Sequence, residues 1–219
     1  MNRRGRPKLL PDHSAIPGEL KSHRVYLRPL RIEDVKLDYA AVMESAARLR
    51  RWGGGSWPEP DFTLAGNLAD LARHQREHDS SEAFTYTVMN PEQTRCLGCV
   101  YLEPVSRWSR HAEETVRPAK AESSALAAVV RFWVRTSELP GRLDAHLFEA
   151  LRGWLEQEWP FTTVYYLTNQ RLESQQTLFR SGGLQEAFSV SVAGKQGLFN
   201  AFVRPEAPTD TSADKRLKE

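Results

Sequence analysis

Hydrophobic and polar positions repeat with two different periods in the first part of the chain. Residues 23–30 (HRVYLRPL) alternate apolar and polar side chains, which is typical of a half-buried strand. Residues 31–52 place apolar side chains three and four positions apart and predict a helix. The segment GGGSWPEPD (53–61) interrupts that pattern, and Asp61 is the expected N-cap of a second helix over residues 62–78.

Three apolar segments then predict consecutive strands at residues 83–90, 95–105 and 125–135. The third is almost wholly apolar, as expected of a strand in the middle of a sheet. A polar stretch over residues 106–123 predicts a long loop between the second and third of these strands. Strands that follow one another without a helix pair in antiparallel fashion.

Helices and strands alternate in the last third of the chain. The pattern predicts a helix from about 143 to 157, a strand at 162–169, a helix at 172–182 and a closing hairpin over 184–205. Two β-α-β crossovers predict parallel neighbours. The element order is therefore β-α-α-β-β-β-α-β-α-β-β. We predict an α/β fold whose mixed sheet of about seven strands has about four helices on its two faces.

Composition is compatible with one domain of this kind, which we predict over residues 21–204. The chain has 219 residues, of which 40% are hydrophobic and 26% charged. Residues 1–20 and 205–219 lack a sustained apolar period and are expected to form a flexible basic tail and a flexible C-terminal tail. No apolar run is long enough to cross a bilayer and no secretion signal is evident, so we expect a cytoplasmic protein without a membrane partner.

Charge argues against nucleic acid as a partner, because a formal net charge of +2 is close to balance. The N-terminal basic cluster is explained more simply by a solvated tail than by a DNA-binding arm; it consists of Arg3, Arg4, Arg6 and Lys8.

The two cysteines, Cys96 and Cys99, lie three positions apart on a predicted strand. Side chains three apart on a regular strand point to opposite faces, so the two thiols are not expected to share a metal ion. The chain contains no second cysteine pair. We predict two reduced thiols and no metal site.

The element order and three segments resemble the GNAT-type N-acetyltransferase superfamily over about residues 23–204. VYLRPLRIEDVKLDYAAVMES is similar to its first strand and helix, AFTYTVMNPEQTRCLGCVYLEPV to its second and third strands, and SQQTLFRSGGL to its Ser-led helix. The resemblance implies an acyl-CoA-dependent N-acetyltransferase that acts on a small-molecule or peptide amine by direct attack on the thioester of acetyl-CoA. It also allows a homodimer. The alternative is a non-catalytic module of this fold that binds CoA, another ligand or a protein partner.

The resemblance implies that acetyl-CoA lies between the fourth and fifth strands, with its pyrophosphate at the start of the third helix. Aligned on Ala145, the family's Gln/Arg-x-x-Gly-x-Gly/Ala loop places Pro140 at its Gln/Arg, and Gly141 and Arg142 stand one step out of phase. Arg142 is read either as a pyrophosphate contact or as a solvated loop residue. The implied cofactor contacts are Trp133, Val134, Arg135, Gly141, Arg142, Leu143, Ala145, Asn169, Ser174 and Phe179. Asn169 and Ser174 are equally explained as a turn residue and a helix N-cap.

Candidate catalytic groups are few. The position of the family's leaving-group tyrosine is Phe179, which has no proton to donate, and the predicted fourth strand contains no carboxylate. Glu103 is the best remaining general base, although an exposed charge at a strand end explains it as well. Trp52 and Trp57 are expected to wall the acceptor pocket, or to be covered by the neighbouring sheet. His111 and His146 are weaker candidates.

Overall fold

The computed structural model describes residues 8–11, 14–110, 112–116 and 126–205. In these ranges nine strands form one sheet. The strands are β1 (Leu20–Lys21), β2 (Tyr26–Pro29), β3 (Phe84–Met89), β4 (Cys96–Pro104), β5 (Ala112–Val116), β6 (Ala127–Val134), β7 (Thr163–Asn169), β8 (Gln185–Val192) and β9 (Phe199–Val203). The α-helices are α1 (Val35–Glu44), α2 (Ala46–Gly53), α3 (Leu64–Asp79), α4 (Val105–Arg110), α5 (Leu143–Glu158) and α6 (Glu173–Ser181).

The sheet order is β1-β2-β3-β4-β6-β7-β9-β8-β5. Only β6 and β7 pair in parallel among these neighbours, and the other pairs are antiparallel. The predicted α/β class with a mixed sheet and the predicted β8–β9 hairpin are confirmed. The second predicted parallel pair is wrong, because β9 inserts between β7 and β8.

Each face of the sheet carries its own hydrophobic core. The helices α1 to α3 cover one face, where Val42, Leu49 and Leu71 pack on β4 and β6. On the opposite face, α5 and α6 contribute a larger aromatic and aliphatic core that includes Phe148 and Phe179. Burying apolar area on both faces is the main stabilisation of a central sheet.

Three local predictions are corrected by the structure. The first predicted helix is divided at Ser45, whose buried hydroxyl accepts a hydrogen bond from the Thr136 amide. The cap of α3 is Thr63 and not Asp61, because the Thr63 hydroxyl accepts from the Gly66 amide over 3.1 Å. The described part of the predicted loop 106–123 contains most of α4 and all of β5, which adds an edge strand to β8.

The N-terminal segment also differs from the predicted tail. Leu9 and Leu10 are buried in the α5 side of the core, and the Leu9 amide donates to the Ser81 carbonyl. The Tyr86 hydroxyl donates to the Pro17 carbonyl over 2.6 Å. Apolar side chains therefore anchor this part of the segment to the domain. The rest of the two predicted tails, residues 1–7, 12–13 and 206–219, lies outside the described residues.

A β-bulge corrects the prediction for the two cysteines. In the β3–β4 ladder Val88 pairs with Gly98 and Met89 pairs with Cys96, so one residue of β4 is skipped. The extra residue returns Cys96 to the face of Cys99. Both thiols therefore lie on the same face, at 4.0 and 3.5 Å from one carboxylate oxygen of Asp38, and both are free.

Candidate functional site

The two parallel strands in the middle of the sheet separate before they end. Their pairing runs from Ala127 with Thr163 to Val130 with Tyr166. β6 continues to Val134 without a β7 partner in the ladder. The sheet is thus open on this side of β6 for four residues, and an open strand edge can bind an extended ligand through its backbone.

The side chain of Gln175 crosses part of this opening. Its amide nitrogen donates to the Phe132 carbonyl over 3.0 Å, and its amide oxygen accepts from the Thr168 hydroxyl over 2.7 Å. Gln175 is buried, so these bonds replace water for groups of β6 and β7. The opening therefore contains a polar side chain that ties the two strands together.

The N-terminus of α5 lies beyond the same end of β6. Arg142 precedes the helix in the left-handed conformation, with φ of 54°. Within the described residues, no backbone carbonyl accepts from the amides of Leu143 or Asp144. Unpaired amides and the helix dipole make such an end attractive to an anion.

Cationic side chains surround this helix end. Arg24 donates to the Gly141 carbonyl over 2.9 Å, and Arg142 itself is exposed. Arg48 of α2 has its pKa lowered by burial, an effect that the nearby Asp144 carboxylate opposes. Three arginines therefore lie at or near the start of α5, together with the carboxylate of Asp144 in its first turn.

A cavity of about 320 Å³ lies on the other face of β6, between the sheet and the helices α1 to α3. Its walls are rich in aromatic rings, namely Trp52, Trp57, Tyr101, Trp108, Trp133 and Phe199. Polar side chains also face it, including Asp38, Asn67, His74, Glu103 and Arg131. A concave apolar site with a few polar groups is the usual form of a small-molecule pocket.

Arg131 is the central cation of this cavity. It is the first residue of β6 beyond the last pair with β7. Its guanidinium lies 3.8 Å from the ring centroid of Trp52 and 4.8 Å from that of Trp108. Among the described residues, Arg131 donates one hydrogen bond, to the Trp52 carbonyl over 3.5 Å. The Nε of Arg131 has no partner there. A buried charge without a carboxylate partner is costly, which suggests that a ligand completes it.

Glu103 lines the cavity, but both of its carboxylate oxygens already accept hydrogen bonds. Arg107 donates to one oxygen over 3.0 Å, and the Trp108 indole donates to the other over 3.0 Å. These bonds fix α4 over the end of β4 and place the Trp108 ring against Arg131. Glu103 therefore has a structural role at the cavity wall. It could accept a proton from a substrate only by giving up one of these two hydrogen bonds.

The buried carboxylate of Glu77 gives this region a predicted dependence on pH. Burial by itself raises the pKa of Glu77. The hydrogen bonds from His74 and Arg107 have a larger, opposite effect and bring the pKa from its ordinary value of 4.5 to about 2. The Glu77 contribution to stability is therefore present above pH 4.5 and is lost as the pH falls through 2. We expect Glu77→Gln to cost about 3 kcal/mol of unfolding free energy at pH 7 and much less at pH 2.5, measured by urea denaturation.

The control for this prediction is Glu149→Gln. Glu149 is exposed and lies 3.5 Å from Arg152 in a surface pair. Such pairs contribute about 0–1 kcal/mol, so this variant should follow the wild type at every pH. An equal loss for Glu77→Gln at pH 7 and pH 2.5 would contradict the assigned pKa.

No protein-family model and no curated protein matches this sequence. Solved structures do match. RimL, the ribosomal L7/L12 α-N-protein acetyltransferase in complex with coenzyme A, matches at a TM-score of 0.64 and 13% identity over 85% of this chain and 97% of that chain. The ribosomal-protein-S5-alanine acetyltransferase from Vibrio fischeri matches at a TM-score of 0.62 and 12% identity, over 86% of this chain and 96% of that chain. The microcin C7 self-immunity acetyltransferase MccE, in complex with acetyl-CoA and AMP, matches at a TM-score of 0.64 and 7% identity. The match covers 84% of this chain and 93% of that chain.

The chain has the GNAT fold. At these identities the likeness concerns the fold alone. In the described part of the chain, no helix has the length and apolar character that a membrane span requires.

Within the GNAT fold, the residues predicted at the cofactor cleft fall into four groups, of which the polar side chains form the last. Gly141, Arg142 and Ala145 lie at the start of α5, and the Ala145 amide donates to the Asp144 carboxylate over 2.9 Å. Trp133 lines the cavity, where its indole donates to the Tyr101 hydroxyl. The remaining side chains with apolar character, Val134, Leu143 and Phe179, are buried in the α5 core.

Of the three predicted polar contacts, Asn169 and Arg135 interact with other residues, and Ser174 is exposed. Asn169 donates to the Gln196 carbonyl over 2.9 Å and accepts from the Arg171 amide over 3.0 Å, so it organises the turn after β7. Arg135 forms an ion pair with Glu44. Ser174 is exposed in the first turn of α6, whose N-cap is Leu172, so the alternative reading of Ser174 as the N-cap is wrong.

The predicted pocket tryptophans do come together. Both Trp52 and Trp57 line the cavity, and the Trp57 indole donates to the Asp70 carboxylate over 3.1 Å. Of the weaker candidates, His146 bonds the Ser22 hydroxyl over 2.8 Å, and His111 lies outside the described residues.

Sequence reasoning missed Arg131, Asp38 and Gln175. One signal was available for Arg131, because a lone charge in an otherwise apolar strand needs a reason to be there. Asp38 is a buried acid in α1; burial raises its pKa, and Asn67 donates to it over 2.8 Å. No local pattern marks a helix residue that becomes buried only when α3 and β4 pack against it.

Proposed function

We propose that the protein is an acyl-CoA-dependent N-acetyltransferase that acts on a small amine. One observation carries the proposal. The segment of β6 that has no β7 partner, from Arg131 to Val134, has the cavity on one face and leads at its end toward the start of α5. A co-substrate in the opening and an acceptor in the cavity would therefore meet at this segment.

The structure offers suitable groups for the charged part of acetyl-CoA. The amides of Leu143 and Asp144 have no backbone acceptor in the described chain, and the cations Arg24, Arg48 and Arg142 lie near this helix end together with the Asp144 carboxylate. A pyrophosphate would gain both the helix dipole and charge-assisted hydrogen bonds there.

The fit of the pantetheine arm depends on Gln175. The Phe132 carbonyl becomes available to an amide of that arm only when the Gln175 side chain releases it. This exchange replaces one hydrogen bond with another and costs little if Gln175 finds a new partner.

The proposed chemistry is direct acyl transfer. The neutral amine forms the new C–N bond as the C–S bond of the thioester breaks. The proton that leaves the nitrogen passes through water to the departing sulfur, so the products are an amide and the free thiol. Holding the two reactants together supplies much of the acceleration in such a reaction. Tyr101, which lines the cavity and whose hydroxyl accepts from the Trp133 indole, is a candidate to hydrogen-bond the water.

A module of the same fold that binds CoA or another ligand without turnover is the second candidate. Three observations favour it. Gln175 crosses the opening, Glu103 has both oxygens engaged, and Phe179 stands where the family has a tyrosine. A test must therefore measure binding and turnover separately.

Acetyl-CoA at about 100 times its dissociation constant is expected to raise the thermal midpoint by about 5–10 °C. Arg142→Glu should weaken binding about tenfold, because it reverses a charge at the start of α5. Titration calorimetry with CoA measures that affinity. The matched control is Arg76→Glu, a charge reversal at an exposed position of α3, which should leave the affinity unchanged.

Two outcomes separate the candidates. A midpoint that does not move at millimolar acetyl-CoA removes the enzyme proposal. A shift without thioester consumption over a panel of amines supports the non-catalytic module instead.

A further inference from the structure

The polar groups of the cavity form a specific unsatisfied pattern. Three of its lining side chains hold a buried nitrogen or oxygen atom without a hydrogen-bond partner: the donors Arg131 Nε and Trp52 Nε1 and the acceptor Asn67 Oδ1. Buried polar atoms are usually paired, and of the seven unpaired atoms in the described residues three belong to side chains that line this one cavity, which favours a ligand there. That ligand must present an acceptor to the two donors and a donor to the acceptor.

The two donors lie close together. The guanidinium of Arg131 stacks 3.8 Å from the Trp52 ring, and its planar face is therefore already covered by an aromatic surface. Its unpaired Nε–H lies on the edge of the plane. A carboxylate, with two oxygens in one plane, is the anion that fits the edge of a guanidinium best.

The charge of the cavity agrees with an anionic ligand. The carboxylates of Glu103 and Asp70 hold Arg107 and Arg73, whereas Arg131 forms no ion pair with a described residue and feels the Glu103 charge only at longer range. Burial raises the pKa of Asp38, which favours its neutral form. A cationic ligand would therefore find no free carboxylate, while a carboxylate would find an unpaired arginine.

We propose that the acceptor is a free α-amino acid with an aromatic or large apolar side chain, bound with its carboxylate on Arg131. This inference rests on the proposed function. The amine of an α-amino acid is one carbon from its carboxylate, so a carboxylate on Arg131 leaves the amine beside the β6 segment that opens toward the co-substrate. Asn67 supplies the acceptor for the amine. The rings of Trp57, Trp108 and Phe199 supply the apolar surface for the side chain.

The test compares L-phenylalanine with L-phenylalaninamide and phenethylamine, which keep the ring and the amine but lack the carboxylate. Four of the six tryptophans line the cavity, so their fluorescence reports binding without turnover. We expect the amide and the amine to bind about 100-fold more weakly than the acid. Arg131→Gln should reduce the affinity for the acid to that for the amide, and leave the affinity for the amide unchanged.

The matched control is Arg152→Gln. Arg152 also stacks on an aromatic ring, that of Phe148 at 5.5 Å, but on the opposite face of the sheet. This variant should bind the acid as the wild type does. If Arg131→Gln does not fold, the comparison of the three ligands on the wild type still decides the question.

The outcomes distinguish the two proposals. Equal binding of L-phenylalanine, L-phenylalaninamide and phenethylamine overturns the carboxylate site. Preferential acetylation of the amide or of a peptide N-terminus also overturns it, but leaves the N-acetyltransferase proposal intact. Binding of L-phenylalanine that depends on Arg131, without any acetyl transfer from acetyl-CoA, supports the carboxylate site and contradicts the N-acetyltransferase proposal. Arginine-dependent binding followed by acetylation supports both.

Discussion

Phe179→Ala is expected to lower the free energy of unfolding by about 4 kcal/mol, the loss typical of deleting a buried aromatic ring. The Phe179 side chain is fully buried, and its ring centroid lies 5.3 Å from that of Phe148 and 5.5 Å from that of Phe202. Tyr166 and Phe132 complete the surroundings at 5.7 and 6.0 Å. The surrounding rings come from three strands and α5, so the cavity left by the substitution cannot collapse easily. Urea denaturation measures the loss.

The comparison variant is Phe161→Ala. Phe161 is only half-buried and stacks on Trp159 with a centroid distance of 5.0 Å. Its removal should cost about 1–2 kcal/mol, because water can fill the space that it leaves. Wild-type stability of Phe179→Ala together with weaker CoA binding would show that Phe179 is a ligand contact and not a core residue.

Gly98→Ala is expected to destabilise the protein by about 3 kcal/mol, through a steric clash that neither neighbouring strand can relieve. A Cβ at this position would lie 2.1 Å from the Trp133 carbonyl oxygen, and φ of Gly98 is +156°. Gly98 follows the skipped residue of the β4 bulge and pairs with Val134. Any shift that makes room must therefore move β6, the strand that carries Arg131.

Gly153→Ala is the matched control, since a Cβ on this residue of α5 would meet nothing within 4 Å. Alanine is the better helix former, so this variant should be more stable by about 0.5–1 kcal/mol. Thermal and urea unfolding of both variants measure the difference. A Gly98→Ala protein as stable as the wild type would mean that β4 is regular at this point. Cys96 would then lie on the opposite face from Cys99.

The two proposals place different demands on β6. Cofactor binding depends on its backbone, through the carbonyl of Phe132 and the free edge beyond Val130. Acceptor binding depends on a side chain, Arg131, on the face toward α1 to α3. Substitution of Arg131 should therefore change the acceptor preference without changing the affinity for CoA. The two halves of the site can be tested independently for this reason.

Local periodicity was sufficient for most of the elements. The spacing in α3 and α5 is a strong pattern, because each of these helices buries only one face, and the alternation of apolar and polar residues marks β2 although Leu27 and Arg28 are both buried in it. The β8–β9 hairpin could also be predicted from the sequence, because two segments rich in strand-forming residues flank a glycine-containing turn. By contrast, α4 and β5 lie in a stretch with no apolar period. They form because Glu103 binds Arg107 and Trp108, and because β8 offers a free edge.

The candidate site was predictable only in part. The tryptophans of the GGGSWPEPD region were found because large apolar side chains in a polar linker need cover. Predicted contacts such as Phe179 and Asn169 came from a family alignment, and the structure gives their side chains other partners. A position in an alignment fixes the backbone of a residue and leaves its side-chain environment open.

By itself the sequence determined the order of helices and strands and the two-faced sheet, because burial of apolar side chains follows the local periods of 2.0 and 3.6 residues. Only the tertiary structure decided which polar groups have partners. The bulge at Gly98, the bridge of Gln175 across the β6–β7 opening and the unpaired Nε of Arg131 each depend on residues distant in the chain. Hydrogen bonds and charges act over a few ångströms in space, and such proximity is set by packing and not by spacing along the sequence.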